Sequence, residues 1–297
     1  MTTETSEFSY LPGQAQALDL PVPSAERLSL ALPDGRELSA LRFGDATPAI
    51  TLLHGAGLNA HTWDNTALLL QQAVLVIDLA GHGDSSWRDD ADYTAHTLAP
   101  DVALALEAWT SQPQILVGQS LGGLTAAAVA STHPELVREL IVVDITPGID
   151  TSGGPSALRA FYEGPTDFAS RDELVDRAMA LGFGGTRPET ERGVFLNTRV
   201  RPDGRVEWKH HFAHLAAKAL SAPTPESGAG WADLAGVSAP LTLVRATRGF
   251  VSEADAGELK RRVPDARVVA IDATHNVQET APAELAELIR AAADAVG

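Results

Sequence analysis

Short, continuously apolar runs alternate with helix-like stretches along most of this chain, and that alternation narrows the possible folds more than any other feature. The runs are Ala49–Leu53, Ala73–Ile77, Gln114–Val117, Leu140–Val143, Leu241–Val244 and Val268–Ile271. Between and after them lie helix candidates at about Thr62–Gln72, Ala99–Thr110, Leu121–His133, Glu253–Val263 and Pro282–Ala295. A strand that is apolar on both faces must be covered on both faces. Strand, helix, strand, helix in this form therefore predicts a mostly parallel sheet with helices on either side. Ligands in such sheets sit where loops converge at the carboxyl ends of the strands.

Two regions depart from the alternation. Arg27–Leu32 and Glu37–Phe43 alternate in polarity and meet at Pro33-Asp34-Gly35, which reads as a hairpin. Before them, residues 1–24 are punctuated by Pro12, Gly13, Pro21 and Pro23 and read as an irregular leader without the basic and apolar segments of a signal peptide. Between Asp144 and Pro240 the strand signal disappears and helix signals replace it. Ser170-Arg-Asp-Glu173 opens one helix as a capping box, to end near Gly182. Pro188 suits the first turn of the next, Pro202-Asp203-Gly204 makes a turn, and Lys209–Leu220 reads as a further helix. The expected organisation is a leader (1–24), an α/β core (25–146 and 237–297) and an inserted helical lid (147–236) over the strand ends.

Composition excludes several function classes. The 297 residues contain no cysteine, so thiolate chemistry, thiolate metal sites and disulfides are all ruled out. That fits a reducing, cytoplasmic setting. Twenty-two Lys and Arg against 39 Asp and Glu give a formal charge of −17, which repels phosphate backbones and anionic membranes. No apolar run approaches the roughly 20 residues needed to span a bilayer. Phosphate-binding glycine loops are missing, so no nucleotide cofactor is implied. The expected partner is a small-molecule substrate; nothing in the chain speaks to its oligomeric state.

Chemistry is written most densely at Gly118-Gln119-Ser120-Leu121-Gly122, a G-x-S-x-G run that follows a strand and precedes a helix. A serine on such a sharp turn is exposed, and side chains at the flanking glycines would strike neighbouring backbone. The following helix directs its amino end at the site and favours developing negative charge. His54-Gly55-Ala56-Gly57 ends the preceding apolar run, where an oxyanion loop is needed; Gly55 lets backbone approach the acyl oxygen, and the Ala56 and Leu121 amides are the expected donors. His54 reads as structural. Asp78-Leu-Ala-Gly-His82-Gly-Asp84-Ser85 reads as a tight loop whose backbone His82 and Asp84 hold.

Taken together, HGAG, DLAGHGDS, GQSLGG and a late Thr274-His275 before a C-terminal helix resemble the α/β-hydrolase superfamily, in order, from about residue 26 onward. The resemblance implies an eight-stranded sheet whose second strand runs antiparallel, and a Ser–acid–His triad. Its histidine falls on His275, directly after the last strand run. The commonest pattern then places an aspartate just after Leu241–Val244, but this chain reads Arg245-Ala-Thr-Arg248-Gly249-Phe250-Val251 there. Some relatives carry the acid one strand earlier, which points to Asp144. Glu253 and Asp255 are the alternative, although an N-terminal helix turn after Ser252 already explains both.

His210, His211 and His214 invite a metal reading, but no third ligand pattern accompanies them and no metal is expected; His210 reads as lid or pocket lining. Trp63, Phe161, Phe195 and Trp208 could line an acyl pocket, and lid packing explains them equally well. The reading that follows is a cofactor-independent carboxylic-ester hydrolase acting through an acyl-enzyme on a small or medium substrate. Lactonase, amidase or carbon–carbon hydrolase chemistry would use the same parts. A cofactor-free oxygenase or lyase using a His–Asp pair is a rival that the intact serine elbow disfavours, and a non-catalytic small-molecule receptor is the least supported.

Overall fold

A computed structural model describes residues 6–149, 164–182, 185–219 and 227–294. The hairpin leads: β1 (Ala25–Ala31) and β2 (Glu37–Phe43) pair antiparallel around a turn in which Gly35 takes φ 86°. The apolar runs become β3 (Ile50–Leu53), β4 (Val74–Asp78), β5 (Gln114–Gln119) and β6 (Val137–Val143). Two more strands, β10 (Leu241–Arg248) and β11 (Arg267–Thr274), complete an eight-stranded sheet in the order β1-β2-β4-β3-β5-β6-β10-β11. β2 is antiparallel to both neighbours, and every pairing from β4 to β11 is parallel.

The two faces are covered as the apolar runs require. Alternate residues of one strand enter opposite cores: Leu53, Leu116, Leu140 and Val142 face one cluster, while Leu52, Val117, Ile141 and Val143 face the other. The first cluster is closed by α3 (Ala95–Trp109) and α4 (Leu121–Thr132), through residues such as Val102, Leu106, Ala126 and Val129. The second is closed by α2 (Asp64–Leu70) and the C-terminal helix α11 (Pro282–Asp294), through Leu68, Leu285 and Ile289. Among the described residues no helix is long and apolar enough to cross a membrane.

Two expectations need correction. The leader is not irregular: Glu7–Tyr10 forms a short 3-10 turn and α1 (Leu11–Ala17) a helix that buries Leu11 and Ala15 in the second core. Pro12 reads as a breaker in sequence, yet in a helix's first turn the missing N–H costs nothing. Leu11 and Ala15, four residues apart, then share one face. The insertion, for its part, is not wholly helical. The expected helices are α5 (Arg171–Ala180), N-capped by Ser170, and α6 (Arg187–Asn197), with Pro188 in its first turn. Around them β7 (Asp167–Phe168), β8 (Thr198–Val200) and β9 (Val206–Trp208) form a three-stranded antiparallel sheet in the order β7-β9-β8. The Pro202-Asp203-Gly204 turn is the tip of its β8–β9 hairpin. The helix expected from Lys209 starts only at Phe212, as α7 (Phe212–Ala219). Phe168, Leu174, Val175, Val194, Val206 and Trp208 form a separate small core in this region.

Candidate active site

Ser120 sits between β5 and α4 with φ 53° and ψ −120°, a left-handed backbone held by its amide's bond to the Val143 carbonyl (3.1 Å). Such a conformation costs about 1–3 kcal/mol and persists only where its surroundings fix it. The flanking glycines are what permit the turn. A Cβ on Gly118 would stand 2.2 Å from the Gly122 carbonyl oxygen, and one on Gly122 2.5 Å from that of Leu53. Leu121 opens α4, and the first amides of a helix have no carbonyl partner one turn back within it.

The next strand end carries a second strained residue. Asp144 follows β6 with φ 51° and is completely buried. Its carboxylate is held by backbone: Ala246 N–H donates to Oδ1 (3.0 Å), Phe250 N–H to Oδ2 (2.7 Å) and Val251 N–H to Oδ1 (3.4 Å). His275, immediately after β11, brings Nδ1 to 2.8 Å from Oδ2. Glu253 and Asp255 are engaged elsewhere. Asp255 exchanges capping bonds with Ser252 at the start of α9 (Glu253–Arg262), and the exposed Glu253 lies 3.6 Å from Arg245.

Gln119, beside the serine, ties the histidine segment to the elbow. Its Nε2 donates to the His275 carbonyl (3.2 Å). Gly55 packs on the other side: a Cβ there would lie 3.2 Å from Ser120 Cβ and 2.2 Å from Gln119 Oε1. Ala56, the next residue, is exposed. The loop's geometry is set by His54, which is fully buried. Leu79 N–H donates to His54 Nε2 (3.0 Å), so Nδ1 carries the proton and donates to the Gly55 carbonyl (2.8 Å). Burial lowers this imidazole's pKa against the pull of Asp78, which keeps it neutral.

The neighbouring loop at residues 78–85 is held differently from the sequence expectation. His82 does contact the Ala80 carbonyl (3.1 Å), but Asp84 turns outward to Lys209 (2.9 Å) and Arg27 (3.3 Å). The hub is Asp78. It accepts from the amides of Ala60 (2.7 Å) and Asp84 (3.1 Å) and from Arg27 Nη1 (2.7 Å). Burial works to raise its pKa, and the Arg27 charge, with the hydrogen bonds from the Ala60 amide and Arg27, outweighs it.

Of the proposed pocket residues, Trp63 is fully buried within the second core cluster. Trp208 belongs to the small core of the insertion, edge-on to Phe168 at 6.2 Å. His210 is 1% exposed; its Nδ1 accepts from Ala213 N–H (3.2 Å), and burial holds its pKa down at about 3. Phe161 lies outside the described residues, and Phe195 carries Arg171 over its ring at 4.6 Å. His211 stacks on Trp87 (4.4 Å) and hydrogen-bonds the Tyr93 hydroxyl (2.7 Å), so the histidine cluster serves aromatic packing. Among the described residues no group of three or more His, Asp or Glu is placed to hold a metal ion. Sequence reasoning missed Gln119, Phe250 and Asp78. Only Asp78, an acid ending an apolar strand, left a signal there.

Comparison with known proteins agrees with this architecture. The sequence profile of the Alpha/beta hydrolase family matches residues 52–288. The chain is 34% identical to Esterase Rv0045c of Mycobacterium tuberculosis over 98% of its own length and 97% of that protein's. A solved structure of that esterase superposes with a TM-score of 0.84, covering 98% of this chain and 100% of the other at 33% identity. A pimeloyl-[acyl-carrier protein] methyl ester esterase of Aeromonas hydrophila is 30% identical over 85% of this chain and 97% of its own. On sequence and fold together, this chain belongs to the alpha/beta hydrolase family.

Proposed function

We propose that Ser120, His275 and Asp144 form a nucleophile–base–acid triad that cleaves carboxylic esters through an acyl-enzyme. The chain is an ester hydrolase of its family, being similar over nearly its whole length to an esterase. The observation that carries the triad is the bond of His275 Nδ1 to Asp144 Oδ2, made by a carboxylate that three backbone amides already fix. Asp144 accepting at Nδ1 leaves Nε2 as the base and stabilises the imidazolium once it forms.

The steps follow. His275 takes the Ser120 proton as Oγ attacks the ester carbonyl, and the developing oxyanion is bound by the Ala56 amide of the loop after β3 and the Leu121 amide at the amino end of α4. The tetrahedral intermediate collapses, His275 returns the proton to the departing alkoxide, and an alcohol leaves. Water, deprotonated by the same imidazole, then attacks the acyl-serine and releases the carboxylic acid. The insertion is read as a lid over this centre, and within it residues 164–182 and 185–219 carry a small core of their own that would stiffen it. The lid suits small to medium esters that fit beneath it. With a p-nitrophenyl ester, rapid quench should reveal an acyl adduct in the first turnover. Ser120→Ala and His275→Ala should each lower kcat by at least about 10³-fold. Full turnover by Ser120→Ala would contradict the assignment.

A further inference from the structure

The segment after β10 is where the family's commoner acid would stand, and here it has a different use. Gly249 lies against the Asp144 carboxylate so closely that a Cβ on it would fall 2.0 Å from Oδ2. That approach delivers the Phe250 amide to Oδ2 at 2.7 Å, the same oxygen that His275 Nδ1 reaches at 2.8 Å. The Phe250 side chain then turns back and lies flat on the His275 imidazole, with ring centroids 3.7 Å apart and planes 21° from parallel. One residue thus holds both halves of the pair, the carboxylate by its backbone and the imidazole by its ring.

We propose that Phe250 is a positioning residue for His275, a role that rests on the triad reading above. An imidazole anchored only at Nδ1 can still swing about that bond, carrying Nε2 away from the serine. A ring seated on its face removes that freedom, while Gln119 restrains the backbone at the His275 carbonyl. The stack also strengthens when the imidazole becomes charged, because an aromatic face attracts a cation. It therefore favours the state in which His275 holds the serine's proton, and binding that is tighter in the transition state than in the ground state raises kcat. Phe250 is half-buried, so shortening its side chain opens no cavity in the core.

The test compares Phe250→Leu and Phe250→Tyr in the full chain, with a p-nitrophenyl ester as substrate. Phe250→Leu should lower kcat roughly five- to tenfold, the loss of one face contact to a charged ring, and leave KM within about twofold. Its thermal midpoint should stay within about 2 °C of the wild type. Phe250→Tyr should restore at least about half of kcat. The low-field proton resonance of the His275–Asp144 hydrogen bond should broaden in the leucine variant and return in the tyrosine one. Wild-type kcat and an unchanged resonance in Phe250→Leu, or equal losses in the two variants, would overturn the role. Hydrolysis that survives Ser120→Ala would instead overturn the triad on which the role depends, and the two failures are thereby distinguished.

Discussion

Asp144, the proposed triad acid, is fixed by the fold itself. It sits in left-handed backbone, is fully buried, and gives its oxygens to three amides and one imidazole. Asp144→Asn keeps the shape but presents an amide N–H₂ or a neutral oxygen to those donors and no longer holds the reactive His275 tautomer. The expected loss in kcat is about 10³–10⁴-fold, against under about twofold for Asp255→Asn, whose cost is a helix cap worth about 1 kcal/mol of stability. Steady-state kinetics on both variants check this; equal losses would return the acid to the later helix. At this scale Ser120 was legible because glycines and a strand–helix junction surround it, and His275 because it ends the last apolar run. Asp144 was legible from its place at the end of the apolar run after the serine's, where the family resemblance allows the acid one strand earlier. Phe250 and Gln119 were not, since no period or spacing marks a residue that acts by lying against another.

Among elements, the leader and the insertion are joined to the core by one chain of buried and half-buried charge. Arg192 of α6 bonds the Asp64 carboxylate (2.6 Å), Asp64 lies 3.1 Å from His61 Nδ1, and Glu7 lies 3.0 Å from His61 Nε2 and bonds Arg27, which reaches Asp78. Burial opposes the charge on His61, but Asp64 and Glu7 outweigh it and raise its pKa to about 9. Burial likewise pushes the Glu7 carboxyl up, and the bonds from His61 and Arg27 bring it down to about 2. A raised histidine stabilises the fold fully below its unfolded value near 6.5, and loses that contribution as pH climbs through about 9. The urea midpoint should therefore fall between pH 7 and pH 10, and fall less in His61→Gln; identical slopes would contradict the charged imidazole. None of this was readable beforehand. The leader's prolines hid a helix whose first turn tolerates them, and strands of two or three residues in the insertion are too short to show a period of two.

The molecule as a whole was the most legible level. Strands buried on both faces must be continuously apolar, so the central sheet wrote itself plainly into the chain, and the alternating edge hairpin did the same. The interior also sets an acid limit. His54, His82 and His210 are buried, and burial lowers the pKa of each, His210 to about 3. Unfolded chains take up these protons below about pH 6.5 and the folded protein does not. Stability should consequently decline from about pH 6.5 downward toward the His210 value, and His210→Gln should flatten that decline in a urea titration. The reactivity of Ser120 is read by intact mass after exposure to a fluorophosphonate, followed by peptide mapping. A single adduct on Ser120 is expected, absent in Ser120→Ala and greatly slowed in His275→Ala and Asp144→Asn. A folded protein left unmodified at Ser120 would contradict it.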